Sequence, residues 1–427
     1  MIGTALALGL ALAASPASSQ APPSAVSVYL MTMGPGDAIW ENFGHNAIWI
    51  HDPVNGTDIA YNWGIFDFDA PGYVGTFVRG RMDYWMEGFP VDATVASYQA
   101  RNRSVHVQEL ALTAEQTAAL REFIAWNERP ENRAYRYDYF RDNCSTRVRD
   151  ALDRALGGLL RDALVGRETG TTYRFHALRL TKAFSPIQIG IDVGLGPFTD
   201  LPIDAWQEGF IPMRLQAYLR EVRVPDGAGG TRPLVISERT LFEAQRPPTR
   251  DVPPERFVPF LLAGIAIGLV LLLTGAGVQL PALRVLFGVL ATAWSLAVGA
   301  LGVVLLYLWF FTDHVSAYAN HNLFHMNPLA LAFAVVIAIT VFQPDRGPGA
   351  ARFLAIFVAG ISLLGLGLDV LPMFGQRNAA VMALVLPSHA AILITLLRWP
   401  PEKPLSAVDT SAYVWRSRAA RAQGRHR

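Results

Sequence analysis

Cys144 is the only cysteine among 427 residues, and it stands in the string Asp142-Asn143-Cys144-Ser145-Thr146-Arg147. One cysteine cannot form an internal disulfide. The bland alternative is a small buried hydrophobe, but its neighbours are polar and charged. Val148, Leu152 and Leu156 recur every fourth residue after it, the spacing of one helix face. Asp142 and Asn143 are good N-cap residues. The pattern predicts Cys144 in the first turn of a helix, where the positive end of the helix dipole favours thiolate, the nucleophilic form.

A cysteine nucleophile needs a base, and the base needs a group to orient it. Trp40 to His51 reads as loop running into strand, with His45, Ala47 and Trp49 on one face. His45 follows Gly44, which leaves its approach open, and it is the expected base. His51 lies six residues, or about 20 Å, further along the strand, beside Asp52 in a turn, and reads as a surface residue. His106 alternates with Val105 and Val107 and is expected either to face away from the core or to be a partnered core residue. Asp58–Trp63 reads as the second strand of a hairpin, which would bring Asn62 close to His45. Asp142 is a rival orienter. The backbone N–H of Cys144 is the natural first donor to an oxyanion.

No metal or cofactor is expected. The soluble part has no second cysteine and no His-x-x-x-His pair. His321 and His325 have helical spacing, but Asn320, Asn322 and Asn327-Pro328 predict a loop or broken helix there. A net charge of +1 gives no global field for nucleic acid.

The elements that must hold these residues fall into five stretches. Residues 1–22 resemble an export signal without a basic start. Residues 23–245 form the thiol domain. Within it, Val26–Met33 and Ser104–Leu110 read as strands, and Thr113 with Gln116 is a capping box opening a helix to about Asn127. The aromatic, glycine-interrupted stretch 73–89 reads as short helix and loop. Ile187–Leu195 reads as loop around short elements, Trp206–Arg220 as helix, and Leu234–Ile236 as strand. Residues 246–256 are a proline-rich linker.

From Phe257 onward the chain is apolar. About 20 apolar residues cross a bilayer, and five such runs occur, at 257–277, 285–311, 328–343, 353–371 and 379–397. Arg284, Arg346 and Arg352, together with the arginine-rich tail 399–427, mark one side as cytoplasmic. Five crossings then place the thiol domain outside. The polar loop 312–328 falls on that same side, facing the thiol domain.

The strings FGHNAIWIHDP, YNWGIFDF, FVRGRMDYWM, ENRAYRYDYFRDNCSTRVRDAL and TDHVSAYANHNLFHMNPLAL resemble the Lnb family of bacterial lipoprotein N-acyltransferases over roughly residues 25–400. The order histidine, polar residue, then Asn-Cys at a helix start is similar to a circularly permuted papain-like (NlpC-type) α+β fold. The resemblance implies such a domain followed by an all-α membrane bundle of about five transmembrane helices in the cytoplasmic (inner) membrane, with the first domain periplasmic. It implies Cys144 as acyl-carrying nucleophile, His45 as base, and Asn62 or Asp142 as third group. It also implies substrate contacts from Arg147, Asp313, His314, Asn320 and Asn322. The donor would be a membrane phospholipid and the acceptor a lipoprotein N-terminus. Phe66, Phe68, Phe77, Tyr84 and Trp85 are candidates for a lipid-facing groove. A cysteine peptidase or amidase acting on cell-wall peptides uses the same dyad, and a non-enzymatic membrane scaffold would keep Cys144 as a structural residue.

Overall fold

The computed structural model describes residues 26–343 and 348–399. The signal-like segment, Arg346 and the basic tail beyond Trp399 lie outside the described residues.

The outer domain is built on a seven-stranded sheet in the order β11-β5-β1-β2-β3-β4-β6, every neighbouring pair antiparallel. Its strands are β1 (Ser27–Met33), β2 (His45–Asp52), β3 (Thr57–Ile65), β4 (Asp83–Pro90), β5 (Val105–Leu110), β6 (Ala134–Arg136) and β11 (Val235–Phe242). Two small ribbons pair β7 (Glu168–Thr172) with β8 (Pro202–Asp204), and β9 (Arg223–Pro225) with β10 (Thr231–Pro233). The helices are α1 (Tyr73–Val78), α2 (Val91–Ala100), α3 (Ala114–Asn127), α4 (Cys144–Ala155), α5 (Leu159–Leu164), α6 (Tyr173–Leu180), α7 (Pro186–Gly194), α8 (Ala205–Glu208) and α9 (Pro212–Glu221).

Period-two alternation divides the sheet into two buried faces. Leu30, Ile48 and Ile50 pack with Val148 and Leu152 of α4, Leu120 and Ile124 of α3, and Leu215 and Leu219 of α9. Met31, Met33, Ala47, Trp49 and Ala60 pack on the opposite side with Val91, Val95 and Tyr98 of α2. Both sides of β1 and β2 are covered, which is why these strands read as nearly continuous apolar runs.

Three local readings change. Residues 83–90 are a strand, because their aromatic run pairs with β3 and β6. Residues 186–194 are a helix, opened by Ser185, whose side chain accepts from Gln188 N, with Pro186 at the first helical position. The helix expected over Trp206–Arg220 is two helices, because Pro212 starts a new one after the bend at Gly209. Helix α2 is a further element, with Val91, Val95 and Tyr98 at helical spacing.

The five apolar helices are α10 (Phe257–Ala276), α11 (Pro281–Phe311), α12 (Leu329–Phe342), α13 (Gly349–Leu368) and α14 (Ala379–Leu397). All are apolar enough to cross a membrane, α12 when extended by the short helical turn from His321. Gly264 and Gly268 bring α10 directly against Ala383 and Pro387 of α14, the close approach that small residues permit between membrane helices.

The outer domain is fastened to the loops 312–328 and 369–378. Helix α7 ends in carbonyls without intrahelical partners. The Asn320 carboxamide donates to Val193 O (2.8 Å) and Gly194 O (3.0 Å), and Asn322 donates to Val193 O (2.9 Å). The bundle's loop thereby caps a helix of the outer domain. Asn320→Leu should leave Gly194 O buried and unpaired, at about 1–3 kcal/mol, while Asn322 still serves Val193 O. Faster amide hydrogen exchange over residues 186–196 is the expected readout, and unchanged protection there would refute the capping role.

Candidate active site

Cys144 opens α4, and Asn143 is its N-cap, accepting from Ser145 N and Thr146 N at 2.9 Å each. The Asn143 carboxamide donates in turn to Tyr139 O and Phe210 O, both at 3.0 Å, which fixes the helix start. Next door, the Ser145 hydroxyl and the Asn46 carboxamide meet at 3.1 Å. Cys144 is therefore tied to the first residues of β2. Its sulfur is buried among main-chain amides of Asn46, Ser145 and its own residue, with Arg103 nearby. These groups and the helix start favour thiolate, as the sequence predicts, but burial outweighs them and pushes the thiol up to about 11.

His45 is the first residue of β2, at the very end of the strand. Its Nε2 lies 3.0 Å from Asn62 Oδ1. The Asn62 amide nitrogen donates to Ala60 O at 2.8 Å, which turns the amide oxygen toward the ring. Nε2 is then the protonated nitrogen, and Nδ1 carries the bare lone pair. The hairpin delivers this pair as predicted.

Strand alternation points His45 to the α2 face and Asn46 to the α4 face. Ring and sulfur therefore lie toward opposite faces at the end of the sheet, and no hydrogen bond joins them among the described residues. They share surroundings. Tyr98 stacks on the His45 ring at 6.4 Å, and its hydroxyl feels the charge of a Cys144 thiolate. Arg103 acts on both the ring and the sulfur. Burial lowers the imidazole to about 4, with the Asn62 bond opposing and the two arginines assisting. The resting pair is neutral thiol and neutral imidazole.

Gly44 makes this geometry possible. Its φ is +80°, and a Cβ there would lie 2.8 Å from the Met33 carbonyl oxygen, a backbone atom that cannot move aside. Gly44→Ala should destabilise the fold by about 2–4 kcal/mol through backbone strain and overpacking. Thermal unfolding would register this, and a wild-type midpoint would refute it.

Tyr135 is a further member of the site. The Tyr135 hydroxyl is buried without a hydrogen-bond partner. Gly64, at φ +89°, stands between it and the nucleophile: an added Cβ would lie 3.5 Å from Cys144 Cβ and 3.7 Å from the Tyr135 oxygen. Burial and the Cys144 charge raise the phenol far above its ordinary value, so it remains a donor. The alternating tyrosines at 135, 137 and 139 were the available signal.

Other expected residues take different places. Asp142 does not reach His45, because its carboxylate is held by the Arg147 guanidinium. Arg147 lies 4.1 Å over the Tyr135 ring and so borders the site from behind. Asp313 accepts from Arg81 at 3.0 Å, and the His314 ring donates through Nε2 to Phe77 O at 3.0 Å. Asn320 and Asn322 are fully engaged in capping α7, with Asn320 Oδ1 accepting from Gln376 and Asn322 Oδ1 from Asn378. The reading of these two asparagines as substrate contacts therefore gives way to a structural one. His51 is a surface residue paired with Asp58 at 2.7 Å.

The aromatic residues form a continuous stack. Tyr137 meets Tyr84 at 4.5 Å, Tyr84 meets Phe66 at 4.8 Å, and Phe66 meets Phe68 at 4.6 Å and Tyr73 at 6.1 Å. Phe77 continues from Tyr73 to His314. Trp85 is outside the stack, its indole donating to Glu87. The stack begins beside Gly64 and Cys144 and ends at α1, where Val74 is 72 % and Phe77 41 % exposed. Asp313 N donates to Arg79 O at 2.8 Å, so α1 abuts the chain just after Phe311, the exposed end of α11.

Fold and spans together define a multi-pass membrane protein that carries an α+β domain outside the bundle, with a cysteine, a histidine and an asparagine gathered at one end of its sheet. Residues 14–177 match the family model described as the Lnb N-terminal periplasmic domain, and residues 251–401 match the Lnb transmembrane domain. The chain belongs to the Lnb family. No curated protein and no solved structure matches it.

Proposed function

We propose that this protein moves a fatty acyl chain from a membrane phospholipid, through a thioester on Cys144, to the α-amine of a lipoprotein's diacylglyceryl-cysteine, at the periplasmic face of the cytoplasmic membrane. The observation that carries this reading is the union of two features: the Cys144, His45 and Asn62 cluster, and an aromatic stack running from it to the outer end of α11. A soluble peptidase has no use for the second. The order of histidine strand, asparagine strand and cysteine helix supports a permuted papain-like arrangement. Arg284 and Arg352, at the bundle end away from the outer domain, support the orientation.

In the first step Nδ1 of His45 takes the thiol proton as the sulfur attacks the donor's ester carbonyl. The carbon–oxygen bond breaks, and the lysophospholipid alkoxide leaves with the proton from His45. In the second step the neutral amine attacks the thioester, the carbon–sulfur bond breaks, and the proton lost by nitrogen returns to sulfur through His45. Both steps develop an oxyanion. The Cys144 backbone N–H and the unpaired Tyr135 hydroxyl are the donors placed to meet it. Asn62 keeps the ring in the tautomer that the first step needs.

The test is mass spectrometry of the N-terminal peptide of a lipoprotein co-expressed with this chain. An added acyl group on the amine is expected with the wild-type chain and not with Cys144→Ala. Free fatty acid without an acylated amine would identify a hydrolase instead.

A further inference from the structure

A cavity of about 420 Å³ lies on the seam, remote in sequence from the residues of the thiol site. Phe257 at the start of α10, Ala379 at the start of α14 and Asp369 at the end of α13 all line it. It is therefore at the level where the spans leave the hydrocarbon and lipid headgroups reside. Two of its lining residues hold buried polar atoms with no partner: Arg256 through Nη1 and Asn378 through Oδ1. These residues are only 7 % and 4 % exposed.

Three arginines, Arg174, Arg256 and Arg377, and three carboxylates, Asp192, Glu255 and Asp369, line it, Glu255 accepting from the backbone N–H of Arg256 and of Phe257 at 3.1 Å each. Arg256 reaches Asp192 at 2.6 Å with its other amino group. Asp192 also serves Arg174 at 2.8 Å, and Arg174 is further held by Asp200 at 2.9 Å. Arg377 lines the cavity with an exposed side chain that forms no ion pair among the described residues. One buried N–H and one exposed guanidinium thus remain for an oxyanion, and arginine forks match phosphate geometry. The Asn378 carbonyl oxygen and the Asp369 carboxylate remain for a cation or hydroxyl donor.

We propose that this cavity binds the headgroup of a phospholipid of the ethanolamine type, with phosphate on Arg256 and Arg377 and ammonium toward Asn378 and Asp369. The proposal makes no use of Cys144 and stands or falls separately from acyl transfer.

The experiment titrates the purified full chain in detergent micelles with a short-chain, ether-linked glycerophosphoethanolamine, which no acyl transferase can consume. Inorganic phosphate and the matching dialkylglycerol without headgroup are titrated in parallel. Saturable binding of the phospholipid is expected, with affinity falling at least about tenfold in R256Q and in R377Q, the loss of a charge-assisted hydrogen bond. C144A should bind as the wild type does. The melting temperature without ligand reports whether each variant folds, and R377Q, altered at an exposed side chain, decides the matter should R256Q fail to fold. Equal affinity in R377Q and wild type would overturn the proposal, as would equal binding of the dialkylglycerol. Inorganic phosphate binding as tightly as the lipid would overturn the lipid as ligand and leave a free phosphate site.

Discussion

Cys144→Ala is expected to lower acyl transfer to a lipoprotein amine by at least about 10³-fold, because no other group can form the covalent intermediate. The chain contains no second cysteine to substitute for it. The small side chain should be tolerated where it stands, since α4 is fixed by the Asn143 cap and by Val148 and Leu152 in the core. Melting temperature and expression should therefore stay near wild type while transfer disappears. A second readout follows the intermediate itself: after incubation with phospholipid, intact-protein mass spectrometry should find the wild-type chain acylated and hydroxylamine-sensitive, and the variant unmodified. Retained transfer by Cys144→Ala would end the thioester proposal.

His45→Ala is expected to lower the rate by about 10²–10⁴-fold, the usual contribution of a positioned general base. Here the sign of the pH dependence is informative. Burial holds the imidazole at about 4 and the thiol at about 11. Both partners are neutral throughout the range between, and only the small equilibrium transfer from sulfur to Nδ1 produces the nucleophile. The wild-type rate should accordingly be flat across neutral pH and fall in acid as His45 becomes protonated. An ascending limb near pH 6–7 would contradict a neutral resting pair. In His45→Ala the surviving activity should rise with pH, as the thiol loses its proton to solvent. The lowered imidazole also bears on stability. Its ordinary value is 6.5, so the unfolded chain takes up the proton first as pH falls. The contribution to stability is full above that value and is lost as pH falls through about 4.

The two variants report on different parts of the arrangement. Cys144 depends on a helix start, which is a local matter. His45 depends on Gly44 for its approach, on Asn62 for its tautomer and on Tyr98 for its flank, and these come from a loop, a neighbouring strand and a helix on the far face of the sheet. Perturbing Asn62 or Tyr98 should change the pH profile before it changes the fold.

Much of this was legible in residue order because it is local. The helix after Cys144 follows from a cap and a four-residue repeat. The hairpin that joins His45 to Asn62 follows from alternation and a turn, and the five spans follow from apolar length. Pairings across long separations were not legible. Even a short-range pairing escaped: Asp142 reads as an orienter, but the Arg147 guanidinium, five residues on, holds its carboxylate. Asn320 and Asn322 looked like polar loop residues open to a substrate, but helix α7 presents carbonyls that need donors, and these carboxamides supply them. The Tyr135 hydroxyl acquires meaning only when β6 meets β4 and Gly64 lets it approach Cys144. The same holds for the thiol. Sequence determines that it begins a helix, which lowers its proton affinity, whereas tertiary packing decides how deeply it is buried, which raises it. Burial prevails because removing a charge from water outweighs the partial charges of a few amides.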